Sequence, residues 1–190
     1  MNKEKINGKD LLLLLLYVPG NTGREYEPIR GRTRLTKMIF IFEKEIYKKF
    51  EFDKLLPKDV LLEFQPYKYG PFAKELYFNI EFFQNIDFVN VRYIEYESTD
   101  EAKTESEEFV YWEEDIIIDE DTTDMVQIEE FYLTNTGKEY VKGKIIPILS
   151  EDQLEALEKF KSTLNGISLQ KILKYVYNKY PRYSADSEIK

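Results

Sequence analysis

Neither cysteine nor histidine occurs among the 190 residues of this chain. Without cysteine there is no disulfide framework, no thiol nucleophile and no thiolate metal site; without histidine there is no imidazole base and no histidine-ligated zinc. Catalytic triads, histidine-type metallohydrolases and thiol redox chemistry drop out together. Carboxylates, Lys, Tyr and Ser remain, but their spacing assembles no convincing catalytic set, so a non-enzymatic protein with no cofactor is expected. Long apolar runs are missing too. The longest, Leu11 to Val18, has eight residues, against the roughly 20 that span a bilayer, and no signal-type cleavage pattern follows it. The expectation is a cytoplasmic protein with no membrane partner.

What the chain does have is aromatic weight: 15 Tyr, 13 Phe and 1 Trp within a 43% apolar composition. That content supports a globular core dominated by rings, in one large domain or one domain with a helical appendage. The formal charge of −9 is unevenly spread. Residues 1–80 carry 15 Lys and Arg against 11 Asp and Glu, residues 81–135 carry 2 against 18, and residues 136–190 carry 10 against 7. A polyanion could therefore meet the chain only through a local basic patch turned away from the acidic middle.

Periodicity places the elements. A helix over Leu11–Tyr17, capped by Asp10 and stopped by Pro19-Gly20, has apolar residues all round and must be covered on most sides. From Thr33, the spacing of Leu35, Met38, Ile39, Phe42, Ile46 and Phe50 predicts a second helix reaching about Phe50. Residues 60–69 read as extended. Pro71 can open a third helix whose inner face is Phe72, Leu76, Ile80 and Phe83. Phe88–Tyr96, Phe109–Ile118 and Val126–Leu133 have the β-branched and aromatic content of strands, the last two joined through the turn Asp119–Asp124. Thr134 or Thr136 caps a short helix ended by Gly143. Ser150 with Gln153 is a capping-box pattern ahead of Leu154, Leu157, Phe160 and Leu164. Ser168 then caps a helix with Leu169, Ile172, Leu173, Val176, Tyr177 and Tyr180 on one face, ending at Pro181. The order of helices and strands predicts an α+β fold: a winged helix-turn-helix over residues 1–145 with an acidic β-hairpin, and a C-terminal helical hairpin over residues 146–190. The hairpin either packs on that domain or pairs two copies into a homodimer.

Three stretches carry a family likeness: Gly31-Arg32-Thr33-Arg34-Leu35-Thr36-Lys37-Met38-Ile39-Phe40, Tyr67-Lys68-Tyr69-Gly70-Pro71-Phe72-Ala73-Lys74-Glu75-Leu76, and Phe131-Tyr132-Leu133-Thr134-Asn135-Thr136-Gly137. Together they resemble the YwgA-like family of small prokaryotic proteins, and the last also resembles the wing end of PadR-like and MarR-like regulators. The Tyr-Gly-Pro turn is similar to the Panacea domain of antitoxin-type proteins. The likeness implies a winged-helical form over about residues 10–145, here with a longer and more acidic hairpin than the family's.

The densest cations, Arg24, Arg30, Arg32, Arg34 and Lys37, straddle a loop and the start of the second helix, where cations oppose the helix dipole unless an anion sits between them and the backbone donors. One reading supplies that anion as phosphate and makes the chain a winged-helix nucleic-acid-binding or regulatory protein, with Lys68 and Lys74 as further contacts. The other pairs these cations with acids inside the fold. The outer face expected for the third helix, Lys74, Glu75, Phe78, Asn79, Glu81, Phe82 and Asn85, offers one Lys among acids and aromatic rings, which suits a protein partner better than a DNA groove. The alternative function is therefore a protein-interaction adaptor or antitoxin-like module using Phe78, Phe82 and the acidic hairpin. Asp119, Asp121, Thr123, Gln127 and Glu130 follow EF-hand spacing, but Asp124 stands where the loop needs Gly, and Asp87 with Glu101 and Lys103 has nuclease spacing in a loop unable to hold it; no metal site is expected.

Overall fold

A computed structural model describes residues 6–68, 70–97 and 125–183 of the chain. Its first helix, α1 (Asp10–Tyr17), buries every leucine from Leu11 to Leu16 to 3% exposure or less, as a stretch with no polar face requires. It begins one residue earlier than the capping pattern suggested. Lys9 occupies the cap, and the Asp10 carboxylate instead accepts the Asn7 N–H at 2.8 Å.

After strand β1 (Ile29–Arg30), helix α2 (Arg32–Ile41) enters the middle of the core, with Leu35, Met38 and Phe40 fully buried. The apolar spacing predicted α-helix to Phe50. Instead, residues Phe42–Ile46 form a π turn closed by the Tyr47 N–H on the Phe42 carbonyl at 2.9 Å. The wide turn advances the helix face by one residue.

The expected extended segment contains β2 (Gln65–Tyr67), paired antiparallel with β3 (Gly70–Phe72). Pro71 is thus a strand residue, and helix α3 begins only at Lys74 (Lys74–Asn85). Gly70 has φ +87°, and a Cβ there would lie 2.7 Å from the Tyr177 ring. The turn therefore requires glycine.

Two long strands follow, β4 (Val89–Glu97) and β5 (Met125–Leu133), antiparallel from Val89↔Leu133 to Glu97↔Met125. The far edge of β5 takes β1, with Ile29 opposite Phe131, giving the sheet order β1-β5-β4. The predicted strand 109–118, the turn 119–124, and the EF-hand-like and nuclease-like spacings lie wholly or partly outside the described residues.

Thr134 caps helix α4 (Asn135–Tyr140) by accepting the Gly137 N–H, and a Cβ on Gly137 would stand 2.1 Å from the Phe88 carbonyl oxygen. Helices α5 (Glu151–Asn165) and α6 (Leu169–Lys179) start as the sequence chemistry predicts, α5 through a two-way Ser150–Gln153 capping box and α6 through Ser168. Their apolar stripes turn inward. Leu157, Phe160, Leu164, Ile172 and Val176 belong to the same buried cluster as the leucines of α1 and the rings of α2. The surface proposed from sequence for dimerisation through this hairpin is thus largely occupied by the chain itself. Six α-helices and a small antiparallel sheet make up the α+β fold among the described residues, and none of those helices is long and apolar enough to cross a membrane.

Candidate functional site

The basic segment divides between surface and interior. Arg24 is exposed on the loop after α1. Arg30 is half-buried, its guanidinium 4.7 Å from the centre of the Tyr96 ring. Arg32 grips Glu129 of β5 through Nε and Nη2, the latter at 2.7 Å, and sits 5.2 Å from the Tyr77 ring centroid. Burial alone would lower its pKa, but the hydrogen bonds and charge of Glu129 outweigh it and hold the pKa above the ordinary arginine value. Arg34 is 3% exposed and donates Nη1 to the carbonyls of Leu164 and Ile167 at 2.7 and 2.8 Å, tying the end of α5 to α2. Lys37 is fully buried and donates to the Pro71 carbonyl at 3.1 Å. Lys68 is half-buried; Lys74 is exposed, 5.6 Å from the centre of the Phe78 ring.

This corrects the expectation for three residues. Arg32, Arg34 and Lys37 do not stand ready for a phosphate, because each is spent inside the fold. The anion demanded by cations at the start of α2 is Glu129, a side chain 97 positions away. Lys37 also accounts for the late start of α3: a strand-like Pro71 offers its carbonyl where a helical one would turn it into the ladder.

A further buried cation escaped the reading of the sequence. Lys161 of α5 is fully covered, and its ammonium donates to the carbonyls of Leu16, Val18 and Glu27 at 3.4, 2.7 and 2.6 Å. Burial pushes its pKa down to about 7, partly opposed by the charge of Glu27. Three carbonyls match the three donors of an ammonium, so Lys161 caps the end of α1 and fastens the loop behind it. The signal was present: Lys161 falls four residues after Leu157 and three before Leu164, on the inward face. The Glu27 carboxylate completes the fastening by accepting the N–H groups of Asn21 and Thr22 and the Asn165 amide.

On α3 the outer face expected from sequence is exposed except at Asn79, which is 4% exposed and faces the interior beside Ile80. Leu76, Ile80 and Phe83 face the core, whereas Phe78, Phe82 and, just past the helix, Ile86 are 56%, 44% and 39% exposed. A spacing of four puts the three in one row. The Lys9 ammonium lies 4.5 Å from the centre of the Phe82 ring. The charged groups beside the row are few and of both signs: Lys74, Glu75, Glu81 and Asp87.

A groove of about 510 Å³ opens on another side, between the π turn of α2 and the hairpin of α5 and α6. Ile41, Ile46, Phe50, Phe160, Leu164 and Ile172 line its floor. At its edge Glu45 accepts the hydroxyls of Tyr175 and Tyr180 at 2.8 and 2.9 Å and pairs with Lys179 at 2.9 Å. These contacts hold the Glu45 carboxylate below its usual pKa despite partial burial. The opposite case is Glu43, which burial raises to about 7 although its carboxylate accepts the Leu62 N–H at 2.9 Å.

No protein-family model, curated protein or solved structure matches this chain. Function is therefore read from which side chains the fold spends internally and which it leaves outside.

Proposed function

We propose that the chain is a winged-helix interaction module that pairs with a second copy of itself along α3. Apart from the separate β2–β3 pair between α2 and α3, the order helix, strand, helix, helix, strand, strand, with β1 beside the last strand of the sheet, supports the winged-helix reading. In that architecture the third helix is the one that enters a DNA major groove. Here its outer face carries apolar side chains where phosphate affinity would call for Lys and Arg, and Arg32, Arg34 and Lys37 are committed to internal partners.

The observation that carries the proposal is the exposed row of Phe78, Phe82 and Ile86. A second copy can lay its own row antiparallel along this one. With a two-fold axis at Phe82, each Phe78 meets the partner's Ile86, and Lys74 at one end of the row approaches the Asp87 end of the other helix, as an isologous contact requires. Large apolar side chains bury about 150–250 Å² when fully covered, so the exposed part of both rows sums to several hundred Å², worth on the order of 10 kcal/mol at about 25 cal/mol per Å². Against an association cost at the low end, about 4 kcal/mol, about 6 kcal/mol remains, which is a weak dimer with Kd in the range of tens of micromolar.

Sedimentation velocity across that concentration range tests this. The expected result is a monomer–dimer equilibrium that Phe78→Glu with Phe82→Glu abolishes while the circular dichroism spectrum is unchanged. A wild-type chain that stays monomeric at the highest concentration, or a dimer indifferent to both substitutions, contradicts the proposal.

A further inference from the structure

The groove between α2 and the C-terminal helices lies outside the α3 contact, since none of its lining residues belongs to α3. Its rim is formed by Lys49, Lys159 and Lys171, all exposed. Neither Lys159 nor Lys171 has a carboxylate within ion-pair distance among the described residues. Among the described lining residues the one acid, Glu45, is occupied by Lys179 and two tyrosine hydroxyls. The rim therefore presents uncompensated positive charge around an apolar floor, on a chain whose overall charge is negative.

We infer that this groove receives an acidic amphipathic helix from a partner protein. Charge selects the sign of the partner, because lysines around a partly desolvated floor attract carboxylates and repel a basic ligand. Shape selects a helix. The groove follows α5 from Ala156 to Leu164, a helical path of roughly 12 Å at 1.5 Å per residue, which matches about two turns of a docked helix with anchors at i, i+3 or i+4, and i+7. Those anchors would enter between Ile46, Phe160 and Ile172, and acidic residues flanking them would face Lys49, Lys159 and Lys171.

The test presents the full chain to a display library of random peptides about 16 residues long, long enough to span such a groove, and measures the best binder, fluorescein-labelled, by anisotropy. The inference expects enriched sequences that are acidic and amphipathic. It expects affinity to fall about tenfold with Lys159→Glu plus Lys171→Glu, as loss and reversal of rim charge at a docking site should produce, and by a similar factor with Thr163→Trp, which fills the groove. Phe78→Glu with Phe82→Glu should leave peptide binding intact, which separates this inference from the α3 proposal. No enrichment, enrichment of basic sequences, or binding indifferent to the charge reversal and the groove-filling substitution overturns the inference. So does dissociation of a chain dimer by Thr163→Trp, which would mean that a second copy fills the groove. If Thr163→Trp unfolds the chain, the charge reversal at the two exposed lysines decides alone.

Discussion

Replacing Arg34 by methionine separates a structural cation from a ligand-binding one. The guanidinium holds the carbonyls of Leu164 and Ile167 at 2.7 and 2.8 Å from a site 3% exposed. Methionine keeps much of the apolar stem but has no donor, so a buried carbonyl at Leu164 and a part-buried one at Ile167 both lose this partner. A buried polar group left without a partner costs about 1–3 kcal/mol, and the part-buried carbonyl less, so Arg34→Met should destabilise by about 1–5 kcal/mol. Arg24→Met, on an exposed loop residue, should stay within about 0.5 kcal/mol of wild type. Urea unfolding reads both, with a lowered midpoint and an unchanged m-value for Arg34→Met. Faster amide exchange should accompany it at the turn between α5 and α6, because the lost contact is what ties that turn to α2. A cost below about 1 kcal/mol for Arg34→Met would refute the structural role assigned to this guanidinium, since two abandoned carbonyls cannot be that cheap.

Two titratable groups, the half-buried Glu43 and the buried Lys161, give pH signatures of opposite sign. Glu43 titrates near 7 in the folded chain against an ordinary value of 4.5, so between those values the folded state holds a proton that the unfolded state has released, and stability falls as pH rises. The shift corresponds to about 3 kcal/mol; Glu43→Gln should erase this slope and be more stable than wild type by about that amount above pH 7, measured by urea melts across the pH range. Lys161 has its folded pKa lowered from 10.5 to about 7, so there the unfolded state binds more protons and stability rises with pH across that window. Lys161→Met should remove that rise and be less stable than wild type at the alkaline end of the window, where the wild-type amine no longer carries this penalty and the carbonyls of Val18 and Glu27 lose their donor in the variant; an unaltered slope in the variant would show that the ammonium is not held as described.

Local chemistry was legible in the sequence and distant pairing was not. The caps at Ser150 and Ser168 and the stop before Pro181 could be read because each is decided within a few residues of the chain. The complete burial of α1 followed from a leucine run with no polar face, and the outward row of α3 from the offset of Phe78 and Phe82 against Leu76, Ile80 and Phe83. The basic segment misled because Arg32, Arg34 and Lys37 are neighbours in sequence while their partners, Glu129, the end of α5 and Pro71, come from elsewhere. Apolar periodicity also ran on toward Phe50, since a π turn shifts the register by one residue without changing composition. The groove was invisible for the same reason as the buried cations: its floor joins residues 41–50 to residues 156–175.

The absence of cysteine makes the α3 contact directly testable by cross-linking. Phe82→Cys gives the chain a single thiol at the centre of the exposed row, where a two-fold axis would bring two copies within the roughly 4.4–6.8 Å Cα separation that a disulfide spans. Mild oxidation at concentrations where the chain self-associates should convert most of Phe82→Cys to a covalent dimer, and should leave Lys142→Cys, an exposed position outside α3, mostly monomeric. Equal and slow cross-linking at both positions would contradict pairing along α3.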